Sequence, residues 1–286
     1  MKRLVILGLL MTLVLGMQAA TKRALVIGIG PYPASSGWAR INGDKDIPVV
    51  EKLLQANGFQ QKNIYTLCNE QATFSAICNQ MEKIISIAQP GDFLYIQFSG
   101  HGQQITDRNG DEPDGYDEAW VPYDAPMQYT KGVYEGERHI TDDRLNGWLH
   151  RMRKRVGESG KIIVVADACH SGDGTRGPAE EEAAQHLVIR GTSDKFIIPG
   201  APQQAQRQSF PIEWISISAC KPYQCNYEYN GMGSLTYALY QERERLSTLT
   251  GKQLHQSIRQ SIQRVIPQTQ TPVVDMTDDD RDNRIF

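Results

Sequence analysis

A chain of 286 residues with 40% hydrophobic and 22% charged side chains can bury a real core, as one large α/β domain or two small ones. Its 30 basic and 33 acidic residues give a net charge of −3, which excludes the basic footprint expected of a nucleic-acid binder. Five cysteines, none in a Cys-x-x-Cys pair, exclude zinc sites of finger spacing.

Lys2 and Arg3 precede an apolar run from Leu4 to Leu15, and small residues follow at Ala19 and Ala20. The pattern reads as a signal peptide over residues 1–20, shorter than the roughly 20 apolar residues of a membrane span. It predicts an exported chain, periplasmic or secreted, with no stable membrane insertion after cleavage; an uncleaved anchor is the alternative. An odd cysteine count then leaves at least one thiol unpaired, and Cys169 is the candidate. Cys68 with Cys78 and Cys220 with Cys225 are pairings the sequence permits, and five reduced thiols are the equal alternative.

Arg23 to Ile29 reads as a buried first strand. A helix opens at Asp46 and Pro48, carries Val49, Leu53 and Leu54, and stops at Asn57-Gly58. Asn63 to Leu67 is a short second strand. Thr73 caps a helix bearing Phe74, Ile77, Met81, Ile84 and Ile85, which Pro90-Gly91 ends. The continuous apolar run from Asp92 to Phe98 predicts a third strand in mid-sheet. Asp142 or Asp143 opens a helix with Leu145, Trp148, Leu149 and Met152 on one side, and Lys161 to Ala166 is the fourth strand. Residues 173–209 are Gly-, Pro-, Glu- and Gln-rich and read as a long surface linker holding a short strand or two. A fifth strand at Trp214 to Ala219, helices at Leu235–Tyr240 and Gln253–Val265, and a last strand at Thr271–Met276 complete the chain. The alternation predicts an α/β fold with an open, mostly parallel sheet covered by helices on both faces.

Two of these strands carry chemistry. The run from Asp92 ends in Ser99-Gly-His101-Gly102, and the run from Lys161 ends in Asp167-Ala-Cys169-His-Ser-Gly172. Open α/β sheets place their sites beyond the carboxyl ends of strands. A thiol and an imidazole there form a nucleophile and its base, because cysteine attacks as the thiolate and needs its proton removed. His170 is the poorer base, since adjacent residues leaving a strand point to opposite sides. Gly28-Ile-Gly30 lacks the third glycine of a dinucleotide loop.

These motifs, with Asp114-Gly-Tyr-Asp117-Glu, Ile140-Thr-Asp142-Asp143 and Ile217-Ser-Ala-Cys220 in order, resemble those of caspase-like cysteine peptidases of the C14 type in clan CD. The likeness is nearer to the metacaspase branch, in particular bacterial metacaspases, than to animal caspases. It runs from Arg23 to about Tyr240. It implies a caspase-like domain over 21–286, with a large-subunit-like part (21–172), the linker (173–209) and a small-subunit-like part (210–286). It implies Cys169 as nucleophile, His101 as general base and acid, and the backbone N–H groups of Gly102 and Cys169 as the oxyanion hole. Hydrolysis would pass through a thioester, with no cofactor required for the chemistry.

Asp167 stands where caspases have glutamine. The resemblance therefore implies an S1 pocket of Asp46, Ser99 and Asp167 that takes arginine or lysine from protein or peptide substrates. Asp44 and Lys45 are neighbours within reach, and Asp46 also suits a helix N-cap. Lys221 to Glu228 resembles the loop that frames the substrate cleft. Asp117, Asp142 and Asp143 match aspartates that bind calcium as an activator, while the fourth position falls near Arg176, with Asp173 the nearest acid. Solvated loop acids over 107–118 and an acidic helix N-terminus are the plain alternative. Arg176, Arg190, Lys195 and Arg207 offer self-cleavage points in the linker. A catalytically inactive caspase-like binding module and another thiol amide hydrolase are the rival readings.

Overall fold

The computed structural model describes residues 20–169, 188–200, 211–266 and 270–286. The signal-peptide reading of the first 19 residues, and the readings on His170, Asp173, Arg176 and Arg207, lie outside them. The chain runs through β1 (Lys22–Gly28), α1 (Gly43–Ala56), β2 (Ile64–Cys68), α2 (Phe74–Ile87) and β3 (Phe93–Ser99). Next come β4 (Gly102–Thr106), β5 (Tyr116–Trp120), β6 (Ile140–Thr141), α3 (Asp142–Val156) and β7 (Lys161–Asp167). The last part holds β8 (Ile215–Ser218), β9 (Glu228–Tyr229), β10 (Met232–Gly233), α4 (Ser234–Gln241), α5 (Gly251–Val265), β11 (Val273–Asp275) and α6 (Asp278–Asp282).

Six strands form the main sheet in the order β11-β8-β7-β3-β1-β2, all parallel except β11, which runs antiparallel to β8. Alternation along the strands divides the core in two. Leu25, Ile27, Leu94, Ile96, Ile162 and Val164 face one layer with α2 and α3. Ala24, Val26, Tyr95, Ile163 and Val165 face the other, with α1, α4 and α5. Both faces are thus covered, as the near-continuous apolar strands require. No helix among the described residues is long and apolar enough to cross a membrane.

Register decides where the chemistry lies. Gly28, Ser99 and Asp167 stand side by side at the carboxyl ends of β1, β3 and β7. His101 and Cys169 each follow two residues after the paired positions Ser99 and Asp167, so adjacent parallel strands deliver them to one edge.

Four differences from the sequence reading have physical causes. Helix α1 begins at Gly43, three residues before Asp46, with Asn42 as its N-cap. A Cβ at residue 43 would lie 2.3 Å from the Ser99 carbonyl and 2.5 Å from that of Ile29. Only glycine lets the helix start so close to the strand ends, and Asp46 therefore sits within the helix, turned inward and fully buried, instead of capping it. Secondly, β4, β5 and β6 form an antiparallel sheet that polar runs such as Gly102-Gln-Gln conceal. Thirdly, β9 and β10 pair through Asn230-Gly231, both at positive φ (51° and 73°), a turn signal the sequence carries plainly. Lastly, the supposed surface linker is buried in part. Arg190 is fully enclosed and Phe196 nearly so, the latter exchanging backbone hydrogen bonds with Gln104 and Thr106 of β4.

Candidate active site

His101 is held on all sides. Its N–H donates to the Tyr32 hydroxyl at 3.0 Å, and its ring stacks on Trp38 with centroids 4.8 Å apart. Nε2 lies 2.8 Å from the Ala39 carbonyl, which can only accept, so the ring proton is on Nε2 and the lone pair is on Nδ1. Nδ1 is buried and has no hydrogen-bond partner among the described residues. Burial drives the imidazole pKa down to about 4, with the Ala39 contact opposing and the Arg190 charge assisting. The ring is a neutral base at ordinary pH. The backbone carbonyl of Ala39 does the orienting for which no side chain is evident in the sequence.

The Tyr32 hydroxyl also donates to the Val121 carbonyl at 2.9 Å. Tyr32→Phe should strand that carbonyl and the His101 N–H, at a cost of about 1–3 kcal/mol for each buried group. Thermal unfolding followed by circular dichroism should show a fall of several degrees. An unchanged melting temperature would mean that water replaces the hydroxyl.

Cys169 is fully buried two residues beyond β7. Its thiol donates to the Gln224 carbonyl at 2.9 Å, an acceptor it shares with the Cys220 thiol at 3.2 Å. Its N–H donates to the Arg190 carbonyl at 2.7 Å. All five cysteines are among the described residues, and none is in a disulfide.

Beside this pair lies an acidic pocket, and a guanidinium fills it. Arg190 Nη1 and Nη2 meet the two oxygens of Asp46 at 2.5 and 3.2 Å. Nε meets Glu228 at 3.1 Å, and Nη1 lies 3.6 Å from Asp167. All four side chains are almost completely enclosed. Burial pulls the Arg190 pKa down, but Asp46 and Asp167 outweigh it and the group stays cationic. Burial raises the Asp46 pKa in spite of the guanidinium, because Asp167 adds like charge. The acids are fixed from behind. Asp167 accepts from Thr236 N–H (2.7 Å), the Thr236 hydroxyl (2.6 Å) and Asn226 Nδ2 (2.8 Å). Asp46 accepts from Gly233 N–H at 3.1 Å, and Glu228 from Asn42 N–H at 2.7 Å. Ser99 is fully buried and has no direct role on the guanidinium; it joins the pocket through Gln97 Nε2, which donates to Ser99 at 3.3 Å and to Thr236 at 2.9 Å.

A second group of acids stands at the far end of the β4–β5 hairpin, whose near end carries Gly102. Asp107, Asp111 and Asp117 converge in one cluster, and Glu112, Glu118 and Asp142 in another. Asp117 and Asp142 fall in different groups, yet Asp142 is the strongest neighbouring charge on Asp117, with Asp143 also acting on it, and Asp143 accepts from Asn109. Buried oxygens of Asp111, Asp117 and Asp142 have no hydrogen-bond partner among the described residues. Burial first, then the neighbouring acids, pushes Asp117 up to about 8 and Asp142 and Glu118 to about 7. A cleft of about 340 Å³ has Glu118 and Asp142 on one wall and Ala168 and Cys220 on another.

Comparison with known proteins decides the family. The metacaspase, peptidase C14 domain matches residues 22–176, more than half of the chain. The chain belongs to the metacaspase family. It is 29% identical over 258 residues to metacaspase-1 of Cryptococcus neoformans, covering 76% of this chain and 53% of that one. The likeness to metacaspase-1 of Candida albicans is 29% over 266 residues, covering 76% and 56%. The chain thus spans about half the length of these relatives. A crystal structure of a protein from Geobacter sulfurreducens superposes with a TM-score of 0.62 at 22% identity, over 92% of this chain and 97% of that one, and supports the fold alone.

In this metacaspase-family chain, sequence reasoning missed Glu228, Asn226, Thr236 and Gln97. Glu228 and Asn226 belong to the loop that was expected to frame the cleft, so proximity to Lys221-Pro222 was the available signal. Thr236 sits in an apolar helical run and Gln97 in an apolar strand. A polar residue in such a run, buried without a charge partner in sequence, was the clue.

Proposed function

We propose that this chain is an exported cysteine endopeptidase that cleaves proteins or peptides after arginine or lysine and processes itself. The observation that carries the reading is Arg190, whose guanidinium is clasped by three carboxylates while its carbonyl accepts from Cys169 N–H. A basic side chain in the pocket thus brings its own carbonyl to the nucleophile. In the proposed reaction His101 Nδ1 takes the thiol proton, and Cys169 Sγ attacks the carbonyl carbon. The N–H groups of Cys169 and Gly102 hold the oxyanion. The leaving amine takes the proton from His101, and water, activated by the same nitrogen, hydrolyses the thioester. The test is hydrolysis of matched peptides with arginine, lysine or aspartate before the cut. Cleavage after aspartate, or no cleavage with an inert Cys169, would overturn the reading in favour of a different specificity or a binding module.

Calcium fits the divided acid cluster as an activator. The donors are hard carboxylates, and Asp117, only 4% exposed, leaves one oxygen without a partner among the described residues. Asp117 with Asp107 and Asp111, and Asp142 with Glu112 and Glu118, are the residues that would hold it. Bound calcium would supply positive charge among acids that burial and mutual repulsion otherwise oppose. Millimolar calcium should raise both the melting temperature and peptide hydrolysis; a ligand at about 100 times its Kd adds about 2.7 kcal/mol. Asp117→Asn should remove most of the thermal response. A melting temperature indifferent to calcium and to chelator would reduce these acids to loop and helix capping.

A further inference from the structure

Residues 188–191 lie against the site as a bound peptide would. Arg190 N–H donates to the Asn226 carbonyl at 3.0 Å, and Glu228 N–H donates to the Val188 carbonyl at 2.9 Å. Ile189 pairs antiparallel with Tyr227 and packs against the core. This is strand addition, in which backbone bonds give affinity and side-chain pockets give selection. Past Arg190 the chain crosses the nucleophile, with Gly191 bridged to Gly102. A Cβ on Gly191 would stand 2.3 Å from the Cys169 carbonyl oxygen and 2.8 Å from Cys169 Cβ. The first of these is backbone, so a larger residue there forces a shift of the strand end that bears the nucleophile.

We infer that Arg190–Gly191 is the bond this chain cuts in itself, and that the subsite after the cut admits glycine. The selected foreign substrates are then Arg-Gly bonds preceded by an apolar residue such as Ile189. The inference rests on the peptidase reading and narrows it. Among the other basic residues of the linker, Lys195 is engaged elsewhere, 3.7 Å from the centroid of the Tyr116 ring.

The step balances without a co-reactant other than water. The Sγ–C bond to Arg190 forms and the Arg190–Gly191 C–N bond breaks, the thiol proton passing through His101 to the Gly191 amine. Water then replaces sulfur, leaving an Arg190 carboxylate and a restored thiol. One fragment ends at Arg190 and carries His101 and Cys169; the other begins at Gly191. Until the cut, the chain's own arginine occupies the pocket that a foreign arginine needs.

Intact-mass analysis and N-terminal sequencing of the full chain test the bond. Wild type should yield a new terminus at Gly191 at a rate independent of protein concentration, and Cys169→Ala should remain whole. A self-cut at another bond, or none in an enzyme that hydrolyses arginine peptides, would overturn the assignment. Because Gly191→Val risks misfolding, the subsite is read on peptides. Val-Ile-Arg-Gly should be cut at least about tenfold faster than the same peptide with alanine or valine after arginine. Equal rates sink the glycine subsite and leave the peptidase reading standing. Failure to hydrolyse any arginine peptide sinks both.

Discussion

Cys169→Ala should abolish peptide hydrolysis, and His101→Ala should cost nearly as much, each lowering kcat/KM by at least about 10³–10⁴-fold. The two act as one unit, so the double variant should be little worse than either single one. Among the described residues no other imidazole is placed at this edge. His139 is buried elsewhere, its Nδ1 on Tyr134 and its Nε2 on Gln103. His170→Ala should be milder. If His101→Ala keeps most activity while His170→Ala is dead, the base is misassigned.

The pH profile sharpens that test. In the proposed role of base His101 needs Nδ1 unprotonated, and burial lowers its pKa to about 4. Self-cleavage of the intact chain should therefore hold well below pH 6.5 and fall only near pH 4 on its acid limb. An acid limb at 6.5 would mean that the ring is hydrated in the reacting state. The same depression acts on stability. The folded pKa lies below the unfolded value of 6.5 for His101, and for His139 it falls to about 3. The unfolded chain then binds more protons, so stability contributed at neutral pH drains away as pH falls from 6.5 through 4.

The sheet was legible because its strands are buried on both faces and read as unbroken apolar runs. His101 and Cys169 were legible because register-matched strands carry them past the same edge, Ser99 opposite Asp167. The pocket was only partly so. Asp167 adjoins the nucleophile in sequence, whereas Glu228 reaches the same guanidinium from the β9–β10 hairpin, 61 residues on. Arg190 was the least legible. It looks like one basic residue among several in a polar stretch, and its burial depends on three carboxylates gathered from α1, β7 and β9. No local pattern encodes that meeting. The acid loop shows the same limit: its richness in carboxylates was legible, but not that β5 and the start of α3 gather them into two groups.

Asp46→Asn should be the most damaging change within the pocket. Asp46 alone meets both terminal nitrogens of the guanidinium, and such a charge-assisted fork is stronger and more directional than a single contact. Asparagine keeps one acceptor and turns an N–H₂ toward the other nitrogen, leaving the cation short of a partner in a fully buried site. Removing one member of a buried ionic contact costs about 2–5 kcal/mol, so kcat/KM for arginine substrates should fall by at least about 30-fold. Lysine, a point charge without a fork, should lose less, and the preference for arginine over lysine should shrink. Asp167→Asn should behave differently. Asp167 stands 3.6 Å from the guanidinium but accepts three shorter bonds from Thr236 and Asn226. An amide there sets donor against donor, so the melting temperature should drop along with activity, by more than in Asp46→Asn. Small alkylating agents should still modify Cys169 in both variants, which separates pocket from nucleophile. Unaltered cleavage after arginine in Asp46→Asn would mean that the fork seen on Arg190 is not the one that selects substrates.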